Sequence, residues 1–203
     1  MKTVFQVALF DHQLCNGCGI CTQVCPVVAI KLESIEGKKR AVVNEEGCQA
    51  CTICATRCPR HAVTMVQRAA PLEIGTKVPE EQAKVIEEIC RAAHMYPEQV
   101  VCYCHRVQAK EIVAAILEGA QTPEEVAQKT GARAGCGVLC ITGVIRLLRG
   151  AGLDLAKAPG YQWYGVRATI WDISPEIMDK YPEYYLREDR EAIEKIFPGG
   201  ETK

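Results

Sequence analysis

Twelve of the thirteen cysteines in this 203-residue chain fall into three tight sets, and these are the residues whose type and spacing could do chemistry. A thiolate is a nucleophile, half of a disulfide, or a ligand for a soft metal. Residues 15–26 read CNGCGICTQVCP and residues 48–59 read CQACTICATRCP; at an offset of 33 residues all four cysteines and the proline superpose. The third set is Cys102-x-Cys104, then 31 residues, then Cys136-x₃-Cys140. A disulfide framework belongs to exported proteins. The start, MKTVFQVALFD, has one Lys and a short apolar stretch cut off by Asp11, with no small-residue cleavage site after it. That pattern predicts no secretory signal. No apolar run approaches eighteen residues, so no membrane span is expected. A cytoplasmic location follows, and with it metal or redox chemistry in place of disulfides.

Within each repeat, three cysteines at C-x₂-C-x₂-C spacing can wrap one cubane from a tight loop whose amides face the sulfurs, and the fourth cysteine is followed by a proline that fixes the exit. Zinc favours paired C-x₂₋₄-C knuckles over a fourfold run ending in Cys-Pro. The stretch over residues 1–70 resembles the bacterial two-[4Fe–4S] ferredoxins, in which the fourth cysteine of each run serves the other cluster. The resemblance implies that Cys15, Cys18, Cys21 and Cys58 hold one cluster, and that Cys48, Cys51, Cys54 and Cys25 hold the other. It also places the two clusters close together.

The third set offers four thiolates in two close pairs, which suits a [2Fe–2S] rhomb with two ligands per iron; a Cys₄ zinc site is the competing reading. Residues 99–153 resemble the bacterioferritin-associated-ferredoxin-like (BFD-like) [2Fe–2S] domain in the C-x-C pair, the long helical spacer and the helix that follows. The resemblance implies Cys102, Cys104, Cys136 and Cys140 as ligands. The gap of three in the last pair departs from the commoner gap of two and leaves the local loop open. His105 abuts Cys104, but four cysteines already suffice. Cys90 lies on an apolar helix face and reads as a packed core thiol. His12, His61 and His94 are isolated and read as ordinary surface or interface residues.

The elements that must position these sets are short. Val4 to Phe10, Ala29 to Leu32, Arg40 to Val43 and Ala62 to Val66 read as strands, with a turn at Glu36-Gly37 and short helices after Cys21 and Cys54. Pro71 to Pro79 reads as a connector, and Pro79 to His94 as a helix with Val85, Ile86, Ile89, Cys90 and Ala93 on one face. Lys110 to Leu117 is predicted helical. Thr122 is predicted to cap a helix ending at Gly131, with Pro123 at its first position and Glu125 closing a capping box. A further helix is predicted over Val138 to Leu148, beginning at the last cysteine pair, where its free amides would face an anionic cluster. The remainder has no cysteine but eight of the twelve aromatic residues: Tyr161, Trp163, Tyr164, Trp171, Tyr181, Tyr184, Tyr185 and Phe197. Arg187 to Ile196 reads as a short charged helix.

The fold class expected is therefore α+β: a ferredoxin-like two-[4Fe–4S] module at 1–70, a helical connector at 71–98, a small all-α [2Fe–2S] module at 99–153, and an aromatic docking extension at 154–203. Twelve thiolates and three oxidised cores take the formal charge from −1 to about −7, which disfavours nucleic acid as a partner. No G-x-G-x-x-G after a strand, Walker loop or nucleophile–base constellation occurs. The chain thus reads as wiring rather than a site of bond chemistry. The expected role is single-electron relay in a multisubunit oxidoreductase, next to a flavin-containing subunit in a hetero-oligomer. A free-standing mobile carrier and a metal-handling or redox-sensing protein are the alternatives.

Overall fold

The computed structural model describes residues 2–136, 139–153, 155 and 169–196. It is a mixed helix and strand structure, and the strands come as three separate antiparallel pairs. Strand β1 (Lys2–Phe10) pairs with β4 (Val63–Ile74), with Phe10 opposite Val63 and Lys2 opposite Ile74. Strand β4 continues well past the expected Val66, through Pro71. The ladder breaks between Val4 and Gln6, where residues 68–71 form a wide bulge opposite Phe5. Proline has no amide to give a ladder, and the bulge is where a strand tolerates one. Strands β2 (Ile30–Ile35) and β3 (Lys38–Val43) form a hairpin about Glu36 and Gly37, at φ 50° and 74°. Two central residues at positive φ match the strand twist, and glycine takes one of them without a Cβ penalty. Two short helices, α1 (Ile20–Val24) and α2 (Ile53–Arg57), lie between the strands, each within a cysteine run. Val7, Phe10, Val27, Ile30, Ala41 and Val63 fill this first core with the inward cysteines.

A second core lies beyond the connector. A 3₁₀ turn at Glu80–Gln82 leads into α3 (Ala83–Ala92), whose Ile86 and Cys90 are fully buried. Helices α4 (Ala109–Leu117), α5 (Pro123–Thr130) and α6 (Ile141–Gly150) complete the unit. The cap at Thr122 forms as expected: its side chain accepts from the Glu125 amide at 3.2 Å, while the Glu125 carboxylate accepts from the Thr122 amide at 3.1 Å. Gly131 ends α5 at φ 77°. Ile112, Val113, Val126, Val144, Leu147 and Leu148 are closed off from solvent around Cys90, so that thiol is a core group, its pKa pushed up to about 12 by burial.

Two expectations need correction here. The unit is not all-α: β5 (Val100–Cys102) and β6 (Val107–Gln108) pair ahead of α4. Strands of three and two residues are too short to show alternation in sequence, and the cysteines that interrupt them mask the pattern. The last helix begins after Cys140, which caps it. Part of the expected start, at Val138, lies outside the described residues, as do the aromatics Tyr161, Trp163, Tyr164 and Phe197. In the described tail, α7 (Pro175–Lys180) and α8 (Leu186–Ile196) follow a 3₁₀ turn at Ile170–Asp172. His94, expected at the surface or an interface, lies at an interface within the chain. It is 8% exposed and stacks on Trp171, with ring centres 3.7 Å apart and planes 11° from parallel.

Candidate metal centres

The two cysteine runs build two cavities, and each takes three cysteines from one run and one from the other. The first, with about 330 Å³ of empty space partly open to solvent, is lined by Cys15, Cys18, Cys21 and Cys58. The second, with about 320 Å³, is lined by Cys48, Cys51, Cys54 and Cys25. All thirteen cysteines are free thiols. Among the described residues no three His, Cys, Asp or Glu side chains gather as they would around a single metal ion.

The sequence repeat is a repeat of backbone conformation. Gly17 and Ala50 occupy equivalent left-handed positions, at φ 71° and 54°; Gly19 and Thr52 do so at 79° and 63°, and Val28 and His61 at 52° and 50°. These turns aim amides into the loops. The Ala29 amide donates to Cys25 Sγ at 3.3 Å, and its equivalent, the Ala62 amide, donates to Cys58 Sγ at 3.4 Å. The crossing cysteine of each run therefore has its sulfur held by the residue four positions on. A non-glycine residue at positive φ carries strain that the surrounding structure must hold, and such positions gather at functional sites.

The electrostatics fit a thiolate-bound group. Burial, together with neighbouring cysteines, raises the Cys21 thiol to about 11 and the Cys54 thiol to about 12; burial raises Cys25 and Cys51 as well. Backbone amides oppose these shifts. Burial thus favours the protonated thiol at these four cysteines, and binding a cationic core would displace those protons. Eight sulfur donors in two quartets, with inward amides and apolar walls, suit two iron–sulfur cubanes.

The third set is drawn from three elements. Cys102 ends β5 and is 1% exposed, Cys140 caps α6 and is 4% exposed, and Cys104 and Cys136 lie on exposed loops. The Cys102 and Cys140 thiols hydrogen-bond each other, and this contact holds Cys102 well below the ordinary thiol range, aided by the amides of His105 and Arg133. Gly135 passes so close to Cys104 that an added Cβ would lie 2.5 Å from the Cys104 Cβ and 2.9 Å from its Sγ. Only glycine lets the loop carrying Cys136 approach the C-x-C turn this closely. The spacing between Cys136 and Cys140 runs through residues outside the described set. The Arg133 amide that serves Cys102 and Cys140 belongs to a residue at φ 68°, whose guanidinium pairs with Glu124 at 2.8 Å inside the protein.

Several supporting residues carry no sequence signal. Arg68, in the β4 bulge, donates to Gln6 O at 3.1 Å, to Cys48 O at 2.6 Å and to Glu45 O, clamping the second run against the β1–β4 ribbon. Gln49, 2% exposed, donates from Nε2 to Ala127 O at 2.8 Å and to Gln128 O at 3.1 Å. Each of these contacts spans at least 20 residues of sequence and follows no local pattern.

The model of the 4Fe-4S dicluster domain matches residues 8–63, and that of the BFD-like [2Fe-2S] binding domain matches residues 100–149. No curated protein and no solved structure matches the chain. No helix among the described residues is long and apolar enough to cross a membrane. The two matched spans enclose all twelve grouped cysteines, so the chain joins a 4Fe-4S dicluster domain to a BFD-like [2Fe-2S] binding domain, iron–sulfur modules whose chemistry is electron transfer.

Proposed function

We propose that this chain is an electron-relay subunit of a multisubunit oxidoreductase, seated next to a flavoprotein in the cytoplasm. In this reading Cys15, Cys18, Cys21 and Cys58 hold one [4Fe–4S] cluster, and Cys48, Cys51, Cys54 and Cys25 hold the second. Cys102, Cys104, Cys136 and Cys140 hold one [2Fe–2S] cluster. The observation that carries the reading is the lining of the two cavities, four cysteines each with one exchanged between the runs. When bound, the clusters supply one-electron storage. The chain supplies thiolates, aims amides at them, and keeps most of them out of water.

Exposure also favours a relay. The most open ligands are Cys18 in the first quartet and Cys104 and Cys136 in the third set, while the second quartet has no exposed member. An enclosed middle and two open ends are what a relay between partners requires. The exposed pair Tyr184 and Tyr185, each 65% exposed, supports a protein partner over a free carrier. The residue division follows the same lines: 1–70 for the two cubanes, 71–98 as connector, 99–153 for the [2Fe–2S] unit and 154–203 for docking. Anaerobically isolated protein is expected to hold about ten irons and ten sulfides. It is also expected to bring down a flavin-containing subunit. About eight irons with one zinc would remove the third cluster, and isolation as a single chain with full donor activity would establish the mobile carrier instead.

A further inference from the structure

The β1 strand orders the three cysteine sets. Phe10, at its end, lines the first cavity. Met65, paired opposite Ala8, lines the second. Lys2, at the start of the strand, lies where the first core meets the second. Its ammonium donates to Gln49 O at 3.2 Å, and Gln49 sits between Cys48 and Cys51. The Lys2 Cδ lies 3.9 Å from where a Cβ on Gly131 would be, and Gly131 is two residues from Arg133, whose amide meets Cys102.

The same contact region is bracketed by glutamines. Gln49 binds the carbonyls of Ala127 and Gln128 on α5, and Gln128 Nε2 returns a hydrogen bond to Val27 O at 2.9 Å. Gln49 and Val27 both line the second cavity, and neither lines the first. Ala127, fully buried, packs into the first core. Helix α5 is thus docked on the wall of the second quartet.

We propose that Lys2 and Gln49 form a charged junction that couples the second quartet to the third cysteine set, Lys2 as the counter-charge shared by both and Gln49 as the bracket that fixes their spacing. Burial lowers the Lys2 ammonium from its ordinary range, and negative charge at Cys51, Cys102 and Cys48 offsets part of that effect, so both centres reach it. A half-buried cation beside two anionic centres favours the more negative, reduced state of each and so raises both potentials. The first quartet, eight residues along the strand, lies outside this influence. The inference rests on the three-cluster reading above. It makes the Cys48 quartet, not the Cys15 quartet, the neighbour of the [2Fe–2S] unit, so the order along the relay is first quartet, second quartet, third set.

The test compares loaded wild-type protein with Lys2→Met, Lys2→Arg and Gln49→Leu by iron content and by redox titration followed by electron paramagnetic resonance. Cys18→Ser assigns the signal of the first quartet. Lys2→Met is expected to shift the one-electron equilibria of the second quartet and the third set about tenfold toward oxidation, which is about 59 mV. The first quartet stays unchanged, and Lys2→Arg restores the wild-type values. Gln49→Leu keeps the charge and is expected to weaken the magnetic interaction between the second and third centres. An equal shift at the first quartet, a shift at only one of the two centres, a Lys2→Arg value like Lys2→Met, or an unchanged interaction in Gln49→Leu overturns the junction. Wild-type protein lacking the [2Fe–2S] signal would instead sink the three-cluster reading, and the junction with it.

Discussion

The two cysteine runs offer an internal control on how the loops hold their shape, because Gly17 and Ala50 are equivalent residues with different side chains. Both sit at positive φ, 71° and 54°. At residue 50 the methyl group is accommodated. At residue 17 it would meet the β3 backbone, with Lys39 Cβ at 2.9 Å, Lys39 C at 3.0 Å and the Lys39 carbonyl oxygen closer still. Real Cβ contacts are not that short, and a carbonyl within a hairpin ladder has little room to yield. Gly17→Ala therefore combines a left-handed penalty of about 1 kcal/mol with overpacking of about 1–3 kcal/mol, about 2–4 kcal/mol in all. The reciprocal Ala50→Gly removes the left-handed penalty and meets no clash. It should be neutral or stabilising by up to about 1 kcal/mol. The assay is anaerobic denaturation of the loaded protein, followed by cluster absorbance, with resonance spectra to show which centre is lost first. Gly17→Ala should lower the midpoint and release the first cluster before the second. Equal effects from the two substitutions, or early loss of the second cluster from Gly17→Ala, would refute the argument.

Three further predictions follow from the thiols. Cys25→Ser should disturb the cluster held by Cys48, Cys51 and Cys54 and leave the Cys15 quartet spectroscopically unchanged; a change at the Cys15 quartet instead would end the crossover assignment. Cys90→Ser should keep iron content and all spectra, while destabilising the helical unit by about 1–3 kcal/mol, because a hydroxyl replaces a thiol with no exposure to water. In the cluster-free protein, Cys21 and Cys54 titrate near 11 and 12, above their ordinary value of 9.0. The folded state then binds more protons than the unfolded state across that window, so stability should fall as pH rises from about 9 toward 12. Denaturation midpoints against pH would show this, and a flat profile across the window would contradict it.

What was legible in the sequence is what short-range chemistry dictates. Cysteine spacing, the Glu36-Gly37 turn and the Thr122–Glu125 box each lie within a few residues and appear in the structure as read. The misreadings have physical causes. Pro71 read as the start of a connector, but the β4 bulge absorbs it. The β5–β6 pair is too short for periodicity to register. Ala50, Thr52 and His61 take left-handed backbone without being glycine, so nothing in their type announced the turns. Around the candidate sites, the grouped cysteines were visible in the sequence and the residues that brace them were not. Lys2 reaches Gln49 across 47 residues, Gln49 reaches Ala127 across 78, and Arg68 reaches Cys48 across 20. Only the folded chain brings those groups together.

The sequence leaves two roles open for the tail, packing on its own chain and docking, and its described aromatic side chains divide into half-buried and exposed ones. Trp171 is half-buried, stacks on His94, and lies beneath the Arg190 guanidinium at 5.7 Å. Met178 is 5% exposed. These residues hold the tail to its own chain. Tyr184 and Tyr185 carry their rings into solvent, and Tyr185 sits at φ 52°, so the turn that displays the pair is conformationally strained. Trp171→Ala should therefore lower stability by about 2 kcal/mol through lost stacking and burial, with the clusters retained because no ligand lies in the tail. Tyr184→Ser with Tyr185→Ser should change stability by no more than about 1 kcal/mol, since exposed side chains away from caps and cores contribute little. If the pair docks a partner, that double variant should lose the co-isolated subunit and the reduction by its physiological donor, while small dyes still reduce every cluster. Removing residues 160–203 should combine both effects and still leave the three centres assembled. A double tyrosine variant that keeps its partner and its donor would show that the exposed rings are surface only. A truncated protein that loses iron would show that the tail holds the cluster units together.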